Sequence, residues 1–306
     1  MKANREAYGE ALVELAQEMD NLVVLDADLA KATFTCTFKS AHPEKFIDCG
    51  IAESNMMGVA AGLATVGYVP FVSSFAMFAA LRAGEQFRNS VCYPHLNVKV
   101  VATHAGIECG ADGATHQALE DIALMRTIPQ TVVLVPADHV STKALVKTIA
   151  KTEGPCYIRV GRDKNEALYA ENETFPLGGS KTLRKGNDAA ILACGPMVKK
   201  ALEAAEILGK QGVQACVIDM YSLKPIDEEA VLEAAKTGAI VTCEDHQIVG
   251  GLGSAVCEIT SAKAPCKVAR IGMKDSFGKS APSSELYDYF GMNAQAIADA
   301  VLKIKA

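Results

Sequence analysis

Gly50-Ile51-Ala52-Glu53-Ser54-Asn55-Met56 decides how this chain folds. Just before it, Phe46-Ile47-Asp48-Cys49 reads as a short strand. Just after it, Asn55 to Val66 is almost wholly small and apolar, with Met56, Met57, Val59, Ala60, Ala61, Leu63, Ala64 and Val66. Such a run predicts a helix that is apolar, and so buried, on nearly every side. Gly67 stands where a helix C-terminal glycine belongs. Glu53 therefore falls between a strand end and the start of a buried helix. Open α/β sheets bind ligands at strand ends of this kind. A glutamate that merely complements the helix dipole is the other reading.

The same alternation runs outward in both directions. Asn4 can cap a helix to about Met19, with Tyr8, Leu12, Leu15 and Met19 on one face. Leu22-Val23-Val24-Leu25 is a strand that ends in Asp26-Ala27-Asp28-Leu29. Val69 to Val72 is the next strand, and Ser73 to Leu81 is expected to start a helix. Further strands are expected at Val98–Thr103, Thr131–Val135 and Cys156–Val160, with helices near Ala118–Arg126 and His139–Ala150. The strands are continuously apolar, so both sheet faces must be covered, and a doubly wound, mainly parallel sheet is expected. From Gly161 to about Arg184 the pattern fails, and Pro176 with Gly178-Gly179 suggests a surface linker. A second, smaller α/β unit follows, with strands at Ala189–Ala193, Ala215–Ile218 and Ala239–Thr242. The expected division is residues 1–165, a linker over 166–185, and residues 186–306. The glycine-rich loop Glu244 to Gly253 lacks the lysine of a P-loop and the G-x-G-x-x-G order, and reads as a tight turn into a helix.

Composition narrows the function. A chain of 306 residues suits two domains with real cores. No run approaches the roughly 18 apolar residues of a membrane span, and Met1 to Glu6 leads straight into an amphipathic helix, so no signal peptide is expected. The net charge of −6, without a basic block, argues against a nucleic-acid surface. The ten cysteines are scattered, mostly in apolar runs, and a reducing cytoplasm is the expected setting.

The richest polar stretch is His104 to His116, with two imidazoles and Asp112 among glycines after a strand. His and Asp are common metal ligands, but the spacing matches no compact metal motif. A ligand with several hydroxyls suits them better, because these side chains both donate and accept.

Together these motifs resemble the second half of a transketolase, its pyrimidine-binding and C-terminal domains, nearly end to end. The marks come in the family's order: Asp26-Ala27-Asp28-Leu29, Gly50 to Met56, Phe75 with Phe78, and Val101 to His104. Asp112 to Gln117, Val135 to Asp138 and Glu244 to Gly253 complete them. The resemblance implies a thiamine diphosphate enzyme. Glu53 would hydrogen-bond the aminopyrimidine ring and promote the tautomer in which the cofactor's own amino group is the base. A buried carboxyl can share a proton with that ring nitrogen. Phe75 and Phe78 would surround the ring, with Asp28 and Leu29 also on the cofactor. His104, Asp112 and His116 would bind sugar hydroxyls, with the two imidazoles helping proton transfer. Arg162, and Arg5 with it, would take the substrate phosphate through paired bonds. Leu81 departs from the family, where a tyrosine is frequent.

The family's diphosphate and Mg²⁺ mark, Gly-Asp-Gly with a downstream Asn, is missing: no Gly-Asp-Gly occurs in the sequence. The resemblance therefore implies a split enzyme. A separate N-terminal subunit would hold the diphosphate and Mg²⁺, this chain would bind no metal, and two heterodimers would pair. The expected reaction is transfer of a two-carbon ketol unit from a ketose phosphate to an aldose phosphate, in the pentose phosphate pathway. A deoxyxylulose-phosphate synthase, a 2-oxoacid dehydrogenase β subunit and a non-catalytic assembly partner are the alternatives. His104 with Asp112 to Gln117 favours the transketolase, because an acceptor pentose needs such hydroxyl partners.

Overall fold

In the computed structural model, which describes residues 1–305, the apolar runs become two sheets with helices on their faces. The first sheet has seven strands. From one edge these are Ser222–Lys224, Val132–Leu134, Cys156–Arg159, Lys99–Thr103, Val69–Phe75, Leu22–Asp26 and Phe46–Asp48. All neighbours are parallel except Ser222–Lys224, which comes from the second half of the chain and pairs antiparallel with Val132–Leu134. The second sheet has five strands, in the order Lys267–Met273, Ala239–Gln247, Ala189–Ala193, Ala215–Asp219 and Lys181–Arg184. The fold is thus α/β, with a mostly parallel larger sheet and a smaller second one.

Alternate residues of each buried strand feed opposite faces. Val24, Phe71 and Val101 join Tyr8, Leu12 and Leu145 on one face, while Leu25, Val72 and Val100 join Met56, Phe87 and Ile122 on the other. Both clusters run on into the second sheet, through Ile191 and Val241 on one side and Leu192 and Ile240 on the other. A buried ion pair fixes the middle: Arg159 Nε donates to both carboxylate oxygens of Asp121, at 2.9 and 3.1 Å, and Tyr157 Oη adds a bond of 2.7 Å.

The structure departs from the sequence reading at several places. The first helix, Asn4–Glu18, is preceded by Ala3 at its cap, and Asn4 Oδ1 instead accepts from Asn165 Nδ2 at 3.0 Å. Ser73, Ser74 and Phe75 are strand, not helix, because they continue the ladder against Val101, Ala102 and Thr103. A helical stretch of wide turns over Met77–Arg82 follows. Glu244, Asp245 and His246 likewise belong to a strand, Ala239–Gln247, paired with Lys267–Met273. The turn into the helix Leu252–Lys263 is closed by Glu244, whose carboxylate accepts from Leu252 N at 2.7 Å and Gly253 N at 2.8 Å. An anion is thus already built into that helix start. Lys181–Arg184, inside the stretch expected to be linker, adds an antiparallel edge strand. The helix Glu53–Thr65 buries Met56, Met57, Ala60 and Ala61, but Asn55, Gly58, Gly62 and Thr65 are exposed. It covers the sheet with one side only and leaves the other open.

Candidate active site

The parallel register brings the C-terminal ends of four strands to one edge. Asp26 pairs with Ser73 and with Asp48, and Phe75 pairs with Thr103. The chain leaves Leu22–Asp26 for the outer strand Phe46–Asp48, then returns to Val69–Phe75 on the other side. The strand order reverses there, and a crevice opens at such a switch point. Glu53 lies a few residues past one of these strand ends, Phe75 is the last residue of another strand, and His104 directly follows a third.

Glu53 is the first residue of its helix and is only 2% exposed. Its Oε2 accepts from Arg82 Nη1 at 3.1 Å. Sequence reasoning missed Arg82, whose guanidinium also lies 4.7 Å from the centre of the Phe78 ring. Its place beside Leu81, in a helical turn next to the aromatic pair, was the available signal.

The aromatic side chains come together as a stack. Phe75 and Phe78 are nearly parallel, with centroids 6.0 Å apart and planes at 12°. His104 lies over Phe75 at 3.8 Å and 25°. His116 meets Phe78 edge-on at 5.4 Å and Phe75 at 6.4 Å. One residue set therefore runs from a buried carboxyl through two phenyl rings to two imidazoles.

His104 takes a left-handed backbone, with φ +55°, at the end of Lys99–Thr103. Arg5 Nη1 approaches its Nε2 at 3.5 Å, and Thr103 Oγ1 lies 2.9 Å from its Nδ1. Arg5 can only donate, so Nε2 is the acceptor and Nδ1 carries the proton toward Thr103. Burial, then the charges of Arg5, Arg162 and His116, push the imidazole down to about 3. It is a neutral ring at physiological pH, with a lone pair on Nε2.

Arg5 approaches this ring, and the charge of Arg162 also acts on it. Arg5 donates to Ala32 O at 2.6 Å and stacks 5.1 Å from the Phe34 ring. Arg162 donates to Cys109 O at 2.7 Å and lies 3.8 Å from Asp112 Oδ2. Arg162 is among the charges that push Arg5 down, after burial. Two like charges that act on each other in this way suit an anion that both can bind. Asp112 is exposed and His116 half-buried on the outer side of the loop. The turn with Asp28 and Leu29 is anchored by Asp26, which the sequence reading quoted in its motif but gave no role. Its buried carboxylate accepts from Leu29 N at 2.6 Å, Thr33 Oγ1 at 2.7 Å and Thr35 Oγ1 at 2.9 Å. Asp28 itself is exposed, its N–H bonded to Asp48 Oδ1 at 3.1 Å.

A flat heteroaromatic ring fits this donor set. The carboxyl of Glu53 can meet a ring nitrogen, and Phe75 and Phe78 offer stacking worth about 1 kcal/mol beyond burial. Among the described residues, no group of three or more His, Cys, Asp or Glu is placed to hold a metal ion. Nor is any helix long and apolar enough to cross a membrane.

Known proteins are similar to this chain along nearly its whole length. Residues 1–166 match the transketolase pyrimidine-binding domain and residues 178–297 the transketolase C-terminal domain. A protein of Methanocaldococcus jannaschii, named for a transketolase C-terminal section, is 48% identical over 99% of this chain and 96% of its own length. Human transketolase is 37% identical over 98% of this chain but only 48% of its own, so the chain spans about half of that relative. A split-gene transketolase solved as an inactive β4 tetramer superposes with a TM-score of 0.94 at 52% identity, covering 100% of this chain and 99% of that one. With both domain matches and relatives of this similarity, the chain belongs to the transketolase family, which implies thiamine diphosphate as the cofactor, and corresponds to the C-terminal section of that enzyme.

Proposed function

We propose that this chain is one half of a two-subunit, thiamine diphosphate-dependent transketolase that moves a ketol unit from a ketose phosphate to an aldose phosphate. The observation that carries the reading is the set Glu53, Phe78, Phe75, His104 and His116 at the switch point, with Arg82 joining Glu53 to the Phe78 ring. When bound, thiamine diphosphate supplies the electron sink for breaking and re-forming a carbon–carbon bond beside a carbonyl. Glu53 would hold a proton at the pyrimidine nitrogen, giving up its bond to Arg82 to do so. Phe75 and Phe78 would fix the ring, with the turn at Asp28 and Leu29 beside them. His104, neutral and with its Nε2 lone pair held only by the 3.5 Å contact to Arg5, can take a proton from a sugar hydroxyl that displaces that contact, without first losing one. Asp112 and His116 would bind further hydroxyls, and Arg162 with Arg5 the substrate phosphate.

The diphosphate and Mg²⁺ would be held by a separate N-terminal subunit, because this sequence contains no Gly-Asp-Gly. The exposed side of helix Glu53–Thr65, with Gly58 and Gly62 on it, supports a closely packed partner there, and pairing of two such heterodimers is part of the same proposal. Ten cysteines without a disulfide among the described residues support a reducing cytoplasm as the setting.

Purified alone with thiamine diphosphate and Mg²⁺, the chain should show no ketol transfer. Adding the N-terminal subunit should restore it, with activity saturating near one subunit per chain. Full activity from this chain by itself, free of copurifying protein, would overturn the split-enzyme reading.

A further inference from the structure

The side chains assigned to the sugar all hang from one loop, His104 to His116, and the second sheet touches that loop at its root. We propose that Asp245 is a positioning residue, which holds the backbone beside His104 in the conformation that the sugar site needs. The inference rests on the reading of His104, Asp112 and His116 as sugar ligands.

Asp245 lies on the strand Ala239–Gln247 and is 1% exposed. Its Oδ1 accepts from Ile107 N at 3.0 Å, across 138 positions of sequence. Its Oδ2 accepts from Tyr287 Oη at 3.2 Å, and its main-chain oxygen accepts from the buried Arg159 Nη2 at 2.7 Å. The carboxylate thus reaches the loop three residues past His104, fixed from behind by two further groups. The approach is so close that a Cβ on Gly106 would lie 2.0 Å from Asp245 Oδ2, and Gly106 has φ +68°. Only glycine admits both the contact and that backbone angle.

The rest of the loop is held from the same half of the chain, but farther from His104. Gln117 Nε2 donates to Lys279 O at 2.9 Å, and Ser280 Oγ donates to Ala111 O at 2.5 Å. The first half holds His104 through its ring contacts with Phe75, Thr103 and Arg5 and through Ala105 N to Val160 O at 3.3 Å and Gly106 N to Ala118 O at 3.0 Å, and Asp245 adds the bond from the second half at the next residue, Ile107. Its left-handed φ leaves the ring direction dependent on where the next residues are pinned. A carboxylate accepting from a backbone N–H makes one of the stronger hydrogen bonds available for that. The second half, which contributes no side chain to the stack, thereby sets its geometry.

The test compares three variants of the chain, alone and with the N-terminal subunit. Asp245→Ala removes the acceptor. Asp245→Asn keeps an oxygen that can accept from Ile107 N. Arg126→Ala loosens the same boundary elsewhere, where Arg126 Nη1 donates to Gly250 O at 2.6 Å. In the chain alone, Asp245→Ala should speed amide hydrogen exchange over residues 104–113 by about tenfold or more, while Arg126→Ala leaves it at the wild-type rate. With the partner, Asp245→Ala should raise KM for the sugar phosphates about tenfold, with thiamine diphosphate affinity within about twofold of wild type. Asp245→Asn should return both readings to near wild type. If Asp245→Ala does not fold, Gly106→Ala displaces the loop from the other side and should give the same two changes. Wild-type loop exchange in Asp245→Ala, or an equal rise with Arg126→Ala, would refute the role. Absence of ketol transfer in the wild-type pair would instead sink the functional reading, while the exchange data still judge Asp245.

Discussion

Glu108→Gln makes the cost of one buried acid measurable. Glu108 sits in the loop between His104 and His116 and is 8% exposed. Burial first, then the negative neighbours Asp163 and Asp245, push its carboxyl from an ordinary 4.5 up to about 8. The unfolded chain releases this proton near pH 4.5, whereas the folded chain holds it until about pH 8. The stability it contributes is therefore fully present below about pH 4.5 and is lost as the pH rises toward 8. The interval from 4.5 to about 8, at roughly 1.36 kcal/mol per pH unit, amounts to about 5 kcal/mol in all. On the same relation about 2 kcal/mol has gone by pH 6 and about 4 by pH 8. Glutamine has no proton to lose, so the variant escapes this loss. Asp219, also pushed up to about 8 by burial, is common to both proteins and cancels in the comparison. The stability advantage of Glu108→Gln should thus widen by about 2 kcal/mol between pH 6 and pH 8. Urea unfolding curves of both proteins at the two pH values read this directly. An advantage equal at pH 6 and pH 8 would show that the fold does not hold Glu108 neutral, and the reasoning fails.

Glu53→Gln preserves size and removes the acid, so with the partner subunit turnover should drop at least about a hundredfold while the unfolding midpoint stays put; near-normal turnover would remove Glu53 from the proton path. His104→Ala and His116→Ala should impair sugar kinetics more than cofactor affinity, which parallel titration and turnover measurements can separate; the opposite pattern would move them to the cofactor. Arg159→Met strands the buried Asp121 carboxylate and should cost about 3–5 kcal/mol in urea unfolding; a loss below about 1 kcal/mol would mean that Tyr157 alone satisfies Asp121.

How much was legible in the sequence depended on the range of the contact that decided each feature. Glu53 at a strand-to-helix junction and His104 after a strand are local facts that periodicity and glycine placement carried, whereas the pairing of Phe75 with Phe78 came only from the resemblance to the family. Strand lengths were less legible, because polar residues can be strand when a neighbour supplies the ladder. Ser73 to Phe75 and Glu244 to Gln247 both looked like the start of something else until their parallel partners were in place. The buried side of helix Glu53–Thr65 was visible, but its open side was not, since a run of small apolar residues suits a core and an uncovered face equally. Arg82 on Glu53, Asp26 under its turn and Asp245 on Ile107 were missed because each needs an orientation, or a distant pairing, that composition does not encode.

The strand Ser222–Lys224 has a consequence for how such a chain can be dismantled. It leaves the second half to finish the first sheet, so Val132–Leu134 is an interior strand only while both halves are present. Cutting between residues 166 and 185 would expose a row of unpaired amides and carbonyls beside apolar side chains, an invitation to aggregate. The two halves are thus not interchangeable modules. In recombination, gene fission or expression of fragments they should travel as one heritable block, because a viable break would have to leave Ser222–Lys224 in the same piece as Val132–Leu134.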